Sequence, residues 1–244
     1  KFPEDGSVYD YYYVFDFADI EKEEWKKWDT MLAEPSIDAK LQYTEIIIPT
    51  IDSTKYNWIE NLLMTKKRNI IVVGPTGTGK TVNLKDLITQ IENNKKLDDR
   101  FSQLTINFSA QTSSAQVMVN IEKMLQRKGR GRFAPDNNKI MIVFVDDLNM
   151  PKKERFDAQP PIEILRQWLD YQGWYDMNEK GKPFKQILNI ILSGAQGPSG
   201  GARAALTNRF MRHFNVLAYT ELSDESIKRI FERKVIIYFI MIFF

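Results

Sequence analysis

Cysteine is absent from this 244-residue chain, which rules out a disulfide framework and any thiolate metal site. Histidine occurs once, as His213, and that argues against a zinc cluster. An excess of charge of one sign is also missing: 34 basic residues face 32 acidic ones, a net +2. Such a balance gives no electrostatic footing for nucleic acid or an anionic membrane, so neither is expected as a partner. The apolar run Val235–Phe244 covers ten residues, whereas a membrane span needs roughly 20. The N-terminus, Lys1-Phe2-Pro3-Glu4-Asp5-Gly6, holds no apolar signal region and no initiating Met, so the chain reads as a fragment. Lack of cysteine suits a reducing compartment such as the cytoplasm. What is present is ordinary for a globular chain, 43% hydrophobic and 27% charged, which is enough apolar matter for a sizeable core without staples.

Residues 1–45 are acidic and aromatic, with Tyr9, Tyr11, Tyr12, Tyr13, Trp25 and Trp28, and read as a linker or cap whose rings cover another surface. Ile46-Ile47-Ile48-Pro49 is a short apolar run ended by proline. A helix is expected over 52–65, capped by Asp52 or Ser53, with Trp58, Leu62 and Leu63 on its apolar face. An alternation of strands and helices follows. Strands are expected at Asn69–Val73, Leu104–Phe108, Ile140–Val145, Ile187–Leu192 and Phe214–Leu217. Helices are expected at Gly79–Asn93, Ser113–Leu125, Pro160–Tyr171 and Arg203–Met211. The fold class is therefore α/β, with a doubly wound parallel five-stranded sheet. Gln126–Asn138 reads as an exposed basic loop, and 174–186 as a hairpin turning near Gly181.

Gly74-Pro75-Thr76-Gly77-Thr78-Gly79-Lys80-Thr81 fits the phosphate-loop pattern G-x-x-x-x-G-K-[ST], between an apolar strand and an amphipathic helix. Glycines let backbone amides curve around phosphate oxygens, and the helix N-terminus faces the anion. Lys80 is expected to reach the β- and γ-phosphates of ATP, and the Thr81 hydroxyl to ligate Mg²⁺. The strand ending in Asp146-Asp147 supplies the carboxylates. Asp146 is expected to anchor the Mg²⁺ shell, and Asp147 to polarise the attacking water. The next strand ends at Gln196, a candidate for orienting that water, with Asn149 as the alternative polar group. Among Arg203, Arg209 and Arg212, which flank the last helix and strand, Arg209 is the candidate arginine finger acting on a neighbour's nucleotide. His213 reads as a packed or capping histidine.

Several stretches resemble the third AAA+ module of dynein heavy chains. They are Phe2-Pro3-Glu4-Asp5-Gly6, Ile48-Pro49-Thr50-Ile51-Asp52, Phe144 to Pro151, Ala158 to Glu163 with Arg166-Gln167-Trp168, and Asn208-Arg209-Phe210 with Arg212-His213. The wording around Asp146 and Gln159 is similar to axonemal members. The likeness runs from about residue 1 to residue 233.

The resemblance implies a P-loop, RecA-like AAA+ large subdomain over 46–220, preceded by an inter-module linker over 1–45. The start of a truncated helical lid would follow over 221–234. It implies ATP or ADP with Mg²⁺, and a regulatory site in a ring of six modules coupled to a microtubule-binding stalk, located in the cytoplasmic cytoskeleton of the cilium. The implied partners are neighbouring modules of the same heavy chain, other dynein chains and, through the stalk, microtubules. It places Ile48 and Pro49 near the adenine. Arg209 would point into the preceding module's site, and the finger for this nucleotide would come from the next module.

Two departures bear on chemistry. AAA+ sites usually carry Glu at the position of Asp147 and Asn at that of Gln196. The site is therefore expected to bind ATP with slow hydrolysis, or to act as a non-hydrolysing switch; a free-standing AAA+ ATPase and a structural ring element are the other readings. Residues 235–244 fall outside the likeness and read as a buried strand or an artefactual tail.

Overall fold

The computed structural model describes residues 2–14, 24–35, 46–97, 100–177, 179–201 and 203–243. Its elements run in chain order as β1 (Tyr11–Val14), β2 (Glu24–Lys27), α1 (Ile51–Thr65), β3 (Ile70–Val73), α2 (Lys80–Asn93), β4 (Phe101–Asn107), α3 (Ser114–Glu122), β5 (Leu125–Gly129), β6 (Arg132–Pro135), β7 (Ile140–Asp146), α4 (Pro160–Tyr171), β8 (Gly173–Tyr175), β9 (Phe184–Ile187), β10 (Ile190–Gln196), α5 (Asn208–Met211), β11 (Asn215–Ala218) and α6 (Asp224–Phe243). The chain divides into two compact units, Lys1–Trp58 with Leu222–Phe244, and Ile59–Glu221.

The larger unit holds a five-stranded sheet in the order β11-β3-β10-β7-β4, with every pair parallel. It is the α/β fold that the alternation of elements calls for. Burial follows position. In β7 the six residues from Ile140 to Val145 are buried, and β10 is buried from Ile191 to Ala195. Edge strand β11 is mostly exposed. Helices on both faces explain why the central strands are runs of apolar residues rather than alternating ones. The core on one side gathers Ile121, Val143, Leu165, Trp168 and Phe210.

Local signals account for the helices. Ser113 and Gln116 form a reciprocal capping box at the start of α3. Pro160 and Pro161 open α4, where a missing N–H costs least, and Gln172 ends it in a left-handed conformation. Thr50, not Asp52 or Ser53, caps α1: its hydroxyl accepts from the Ser53 amide while the Ser53 hydroxyl accepts from the Thr50 amide. The buried residues of α1 are Glu60 and Met64, whereas Trp58 and Leu62 are exposed.

Three other expectations are corrected and one is met. Gln126–Asn138 is not a loop, because β5 and β6 pair antiparallel and join β9 and β8 in a four-stranded sheet of order β5-β6-β9-β8. Ile187–Leu192 is not one strand. Asn189 has φ 58°, which breaks the run, so Ile187 ends β9 and β10 starts at Ile190. The helix expected over Arg203–Met211 is confined to Asn208–Met211. The expected hairpin over 174–186 is present as β8 and β9, with Gly181 at φ 88°; Asn178 lies outside the described residues.

In the smaller unit, β1 and β2 form an antiparallel pair. Its aromatics pack on one another, Phe2 against Tyr11 and Trp25, and Trp28 against Tyr12 and Trp58, with ring centroids 4.8–5.6 Å apart. The remainder of the expected 1–45 linker lies outside the described residues. The apolar tail is helix rather than strand, since α6 runs unbroken to Phe243. Ile237, 3% exposed, packs with Ile46 and Ile48, and Ile230 joins them one heptad earlier. Among the described residues no helix is long and apolar enough to cross a membrane.

Candidate nucleotide site

The strand order decides what meets at the carboxyl ends of the sheet. β10 lies between β3 and β7, so the acidic strand is not the neighbour of the phosphate-loop strand. The end of β10, Gln196, is wedged between them. Main-chain hydrogen bonds tie the ends together. Gly74 N donates to Gln196 O (3.2 Å), Leu148 N to Ala195 O (2.9 Å) and Tyr219 N to Val73 O (2.7 Å).

The loop's shape follows from its glycines. Gly77 and Gly79 have φ of 87° and 80°, conformations open to glycine and disfavoured for L side chains. Gly74 is required for a different reason: a Cβ there would lie 2.5 Å from the Tyr219 carbonyl oxygen and 2.8 Å from the Tyr219 Cβ. Above Gly77 nothing lies within 4 Å of a would-be Cβ, so the top of the loop is open. No side chain caps α2, whose N-cap is Gly79. Its first amides are therefore free donors at the positive end of the helix, which is how helix N-termini hold anions.

Around this loop lies a pocket of about 420 Å³ lined by Thr76, Gly77, Gly79, Lys80, Thr81, Val82, Asp146, Asp147, Ala195, Gln196, Gly197 and Arg203. The Thr81 hydroxyl donates to Asp146 Oδ1 at 2.9 Å, and the Asp147 amide donates to the same oxygen at 3.1 Å. Lys80 Nζ donates to the Pro75 carbonyl and, at 3.3 Å, meets Thr78 Oγ1. Burial lowers the Lys80 pKa, the nearby Arg203 lowers it further, and Asp147 and Asp146 oppose both. The Gln196 Oε1 is buried and has no hydrogen-bond partner. Asp147 sits at φ 51°, with its side chain 51% exposed and 3.6 Å from Arg203 Nη2. At that exposure an ion pair contributes roughly 0–1 kcal/mol.

Do these residues suit Mg²⁺ and a nucleotide phosphate? Among the described residues no group of three or more His, Cys, Asp or Glu side chains forms a cage for a metal ion. A hydroxyl and one carboxylate converge instead. Two hard oxygens with room beside them match Mg²⁺, which keeps waters and shares its shell with substrate phosphates. The open loop, the free amides and the orphaned Gln196 oxygen fit the anion and its attacking water.

The expected residues do not all gather here. Gly74 and Pro75 form the base of the loop, and Thr78 is buried in it, its hydroxyl donating to the Pro75 carbonyl at 3.0 Å. Asn149 is buried and turned away, its Nδ2 donating to Gly197 O at 2.9 Å. Arg209 is exposed on α5 and does not line the pocket. Arg212 and His213 both reach Asp170, at 2.7 and 2.9 Å, which makes His213 a packed side chain. Ile48 and Pro49 belong to the smaller unit, where Pro49 O accepts from Arg229 Nε at 2.9 Å. Arg203 is the pocket residue that sequence reasoning passed over in favour of Arg209. Its only advance signal was the glycine-rich stretch Gly197-Pro198-Ser199-Gly200-Gly201 just after the strand.

A family model described as the P-loop containing dynein motor region matches residues 35–222. Dynein axonemal heavy chain 12 of Mus musculus is 39% identical over 232 residues, covering 94% of this chain and 7% of that protein. Dynein axonemal heavy chain 1 of Mus musculus is 39% identical over 243 residues, 94% of this chain and 6% of that protein. Dynein axonemal heavy chain 3 of Homo sapiens is 36% identical over 232 residues, 94% of this chain and 5% of that protein. The chain thus spans 7% or less of the length of these curated relatives. With a phosphate loop, a Thr–Asp pair and a parallel sheet arranged as described, and with that match over most of its length, the chain belongs to the P-loop containing dynein motor region family.

Proposed function

We propose that the chain is a nucleotide-binding AAA+ module of an axonemal dynein heavy chain, the third of its ring, and that ATP bound here regulates a microtubule motor through slow hydrolysis. The observation that carries this reading is the convergence of Lys80, Thr81, Asp146, Asp147 and Gln196 on one pocket beneath open loop glycines. Bound MgATP supplies a terminal phosphoanhydride that water can cleave. The loop amides and Lys80 hold the phosphates, and Thr81 with Asp146 holds the cation's shell. Gln196 Oε1, buried and unpartnered, accepts a hydrogen bond from the attacking water and orients it. Asp147 takes that water's proton.

The wider assignment has other supports. The stretches that resemble the third module, from Phe2 to Gly6 through to Arg212-His213, favour the third position, and the wording around Asp146 and Gln159 favours the axonemal type. The names of the relatives favour an axonemal, ciliary location, with neighbouring modules, other dynein chains and, indirectly, microtubules as partners. Arg209, exposed on α5, suits a finger reaching a neighbouring module's nucleotide, and the assignment of Ile48 and Pro49 to the adenine rests on the resemblance alone. Residues 1–45 act in this reading as linker, 46–220 as the large subdomain and 221–234 as the start of a lid.

A second reading, a switch that binds without hydrolysing, is favoured by the short Asp147 side chain and its pairing with Arg203. Nucleotide binding and phosphate release, measured with and without Mg²⁺, separate the two. A regulatory ATPase turns over with Mg²⁺, loses binding in Lys80→Ala and loses turnover, with binding kept, in Asp147→Asn. Tight binding without turnover identifies the switch, and absence of binding refutes both.

A further inference from the structure

Arg203 reaches the pocket from a segment whose described residues are tied by several hydrogen bonds. Gly200 and Arg203 exchange both main-chain hydrogen bonds, at 3.1 and 3.0 Å, with Gly200 and Gly201 at φ 143° and 59°. Both ends of the loop are held by Asn149, which is 1% exposed. Its Nδ2 donates to Gly197 O at 2.9 Å, and its own carbonyl accepts from Ala204 N at 3.0 Å. The guanidinium lies directly on Gly197, where an added Cβ would overlap its Nη1 and come within 2.7 Å of its Cζ. From there Nη1 meets Thr76 Oγ1 at 3.4 Å and Nη2 meets Asp147 Oδ1 at 3.6 Å.

Those contacts bracket the outer part of the phosphate site. Thr76 is on the loop's open side, and Asp147 follows the carboxylate that pairs with Thr81. We propose that Arg203 is a second phosphate-reading cation of this site, acting within the same chain, and that it makes the pocket distinguish a nucleoside triphosphate from a diphosphate. The inference rests on the nucleotide-site reading above. A diphosphate ends on the loop amides and Lys80. A terminal phosphate extends past them towards Arg203, and its dianionic oxygens are stronger acceptors for a guanidinium than a threonine hydroxyl or a half-exposed carboxylate at 3.6 Å. Transfer of the guanidinium to that phosphate frees Asp147, so recognition of the third phosphate and release of the water-activating carboxylate are one event.

The test is a pair of affinities, for MgADP and for the magnesium complex of the β,γ-imido analogue of ATP, on the full chain with circular dichroism to confirm folding. Arg203→Gln is expected to weaken the triphosphate analogue by about tenfold or more and ADP by less than about threefold. Arg203→Lys falls between. Gly197→Ala, which keeps the charge but displaces the guanidinium, reproduces the selective loss. Equal losses for both nucleotides, or no loss, overturn the proposal while leaving the nucleotide site standing. Failure of the wild-type chain to bind either nucleotide overturns the site reading itself, and this inference with it.

Discussion

A carboxylate acting as general base must come within hydrogen-bond reach of the water it activates. Asp147 reaches one methylene less far than glutamate would from the same backbone position, and its Oδ1 is turned to Arg203 at 3.6 Å. Asp147→Glu is therefore expected to raise Mg²⁺-dependent phosphate release by about tenfold or more, within the roughly 10² to 10⁴ that a positioned base contributes. The φ of 51° at this position strains glutamate slightly more than aspartate, an effect too small to offset such a gain. Steady-state phosphate release from the two chains decides it; an unchanged rate with unchanged affinity would mean that Asp147 is not the base. At this scale much of the pocket lining was legible, because a phosphate loop is contiguous and its chemistry dictates its residues. Thr81 and Asp146, 65 positions apart, are brought to 2.9 Å by the fold, yet each could be named from its own strand or helix end. Arg203 could not. It enters the pocket only through the turn at Gly200 and the space left by Gly197, and nothing in hydrophobic periodicity marks that. Arg209 attracted the finger role by resemblance, while the side chain that meets Asp147 is six positions earlier.

Elements succeed or fail by what their backbone can tolerate, and the two loop glycines predict opposite outcomes. At Gly74 the obstacle is packing. A methyl group meets the backbone and Cβ of Tyr219, so Gly74→Ala must push β3 and β11 apart. A loss of about 1–3 kcal/mol of stability is expected, typical of overpacking. At Gly77 there is open space but a φ of 87°. Gly77→Ala is expected to lose only about 1 kcal/mol of stability but to lose nucleotide affinity, since its methyl group projects into the open space proposed for phosphate. Urea melts and nucleotide titrations on both variants test the contrast, and it fails if the two behave alike. The same attention to backbone explains which elements were readable. β7 and β10 announce themselves as buried apolar runs. β5 and β6 do not, since Gln126-Arg127-Lys128-Gly129-Arg130-Gly131-Arg132 has the composition of a loop and gains strand structure only as β5 pairs with β6 and β6 with β9. In α6 the contiguous apolar residues suggested a strand. The residues turned inward, Ile230 and Ile237, are seven apart and so share a helical face, while Val235, Ile236, Tyr238 and Phe239 remain exposed.

On the scale of the whole molecule, stability is coupled to pH through a group outside the pocket. Glu60 is 0% exposed and accepts a hydrogen bond from the Tyr219 hydroxyl at 2.9 Å, while its Oε2 has no partner. Tyr219 follows β11, and its backbone presses on Gly74 at the root of the phosphate loop. Burial pushes the Glu60 carboxyl up from 4.5 to about 7, and the hydrogen bond from Tyr219 opposes that only in part. The direction of the linkage follows from which state holds the proton. Below about pH 4.5 both folded and unfolded chains are protonated here, and the carboxyl makes no pH-dependent difference. Between 4.5 and about 7 the unfolded chain has released the proton that the folded chain retains, so stability falls as pH rises through that window and levels off above it. A span of this size corresponds to on the order of 3 kcal/mol. Glutamine keeps the shape and the acceptor for Tyr219 but cannot ionise. Glu60→Gln is therefore expected to remove this slope, standing within about 1 kcal/mol of the original chain near pH 5 and exceeding it by about 1–3 kcal/mol near pH 8. Urea denaturation of both chains at the two pH values isolates Glu60 from every other titrating group, because those groups are common to both. Parallel stability profiles would show that Glu60 does not carry the proton, and the unpartnered Oε2 would then need a donor of its own.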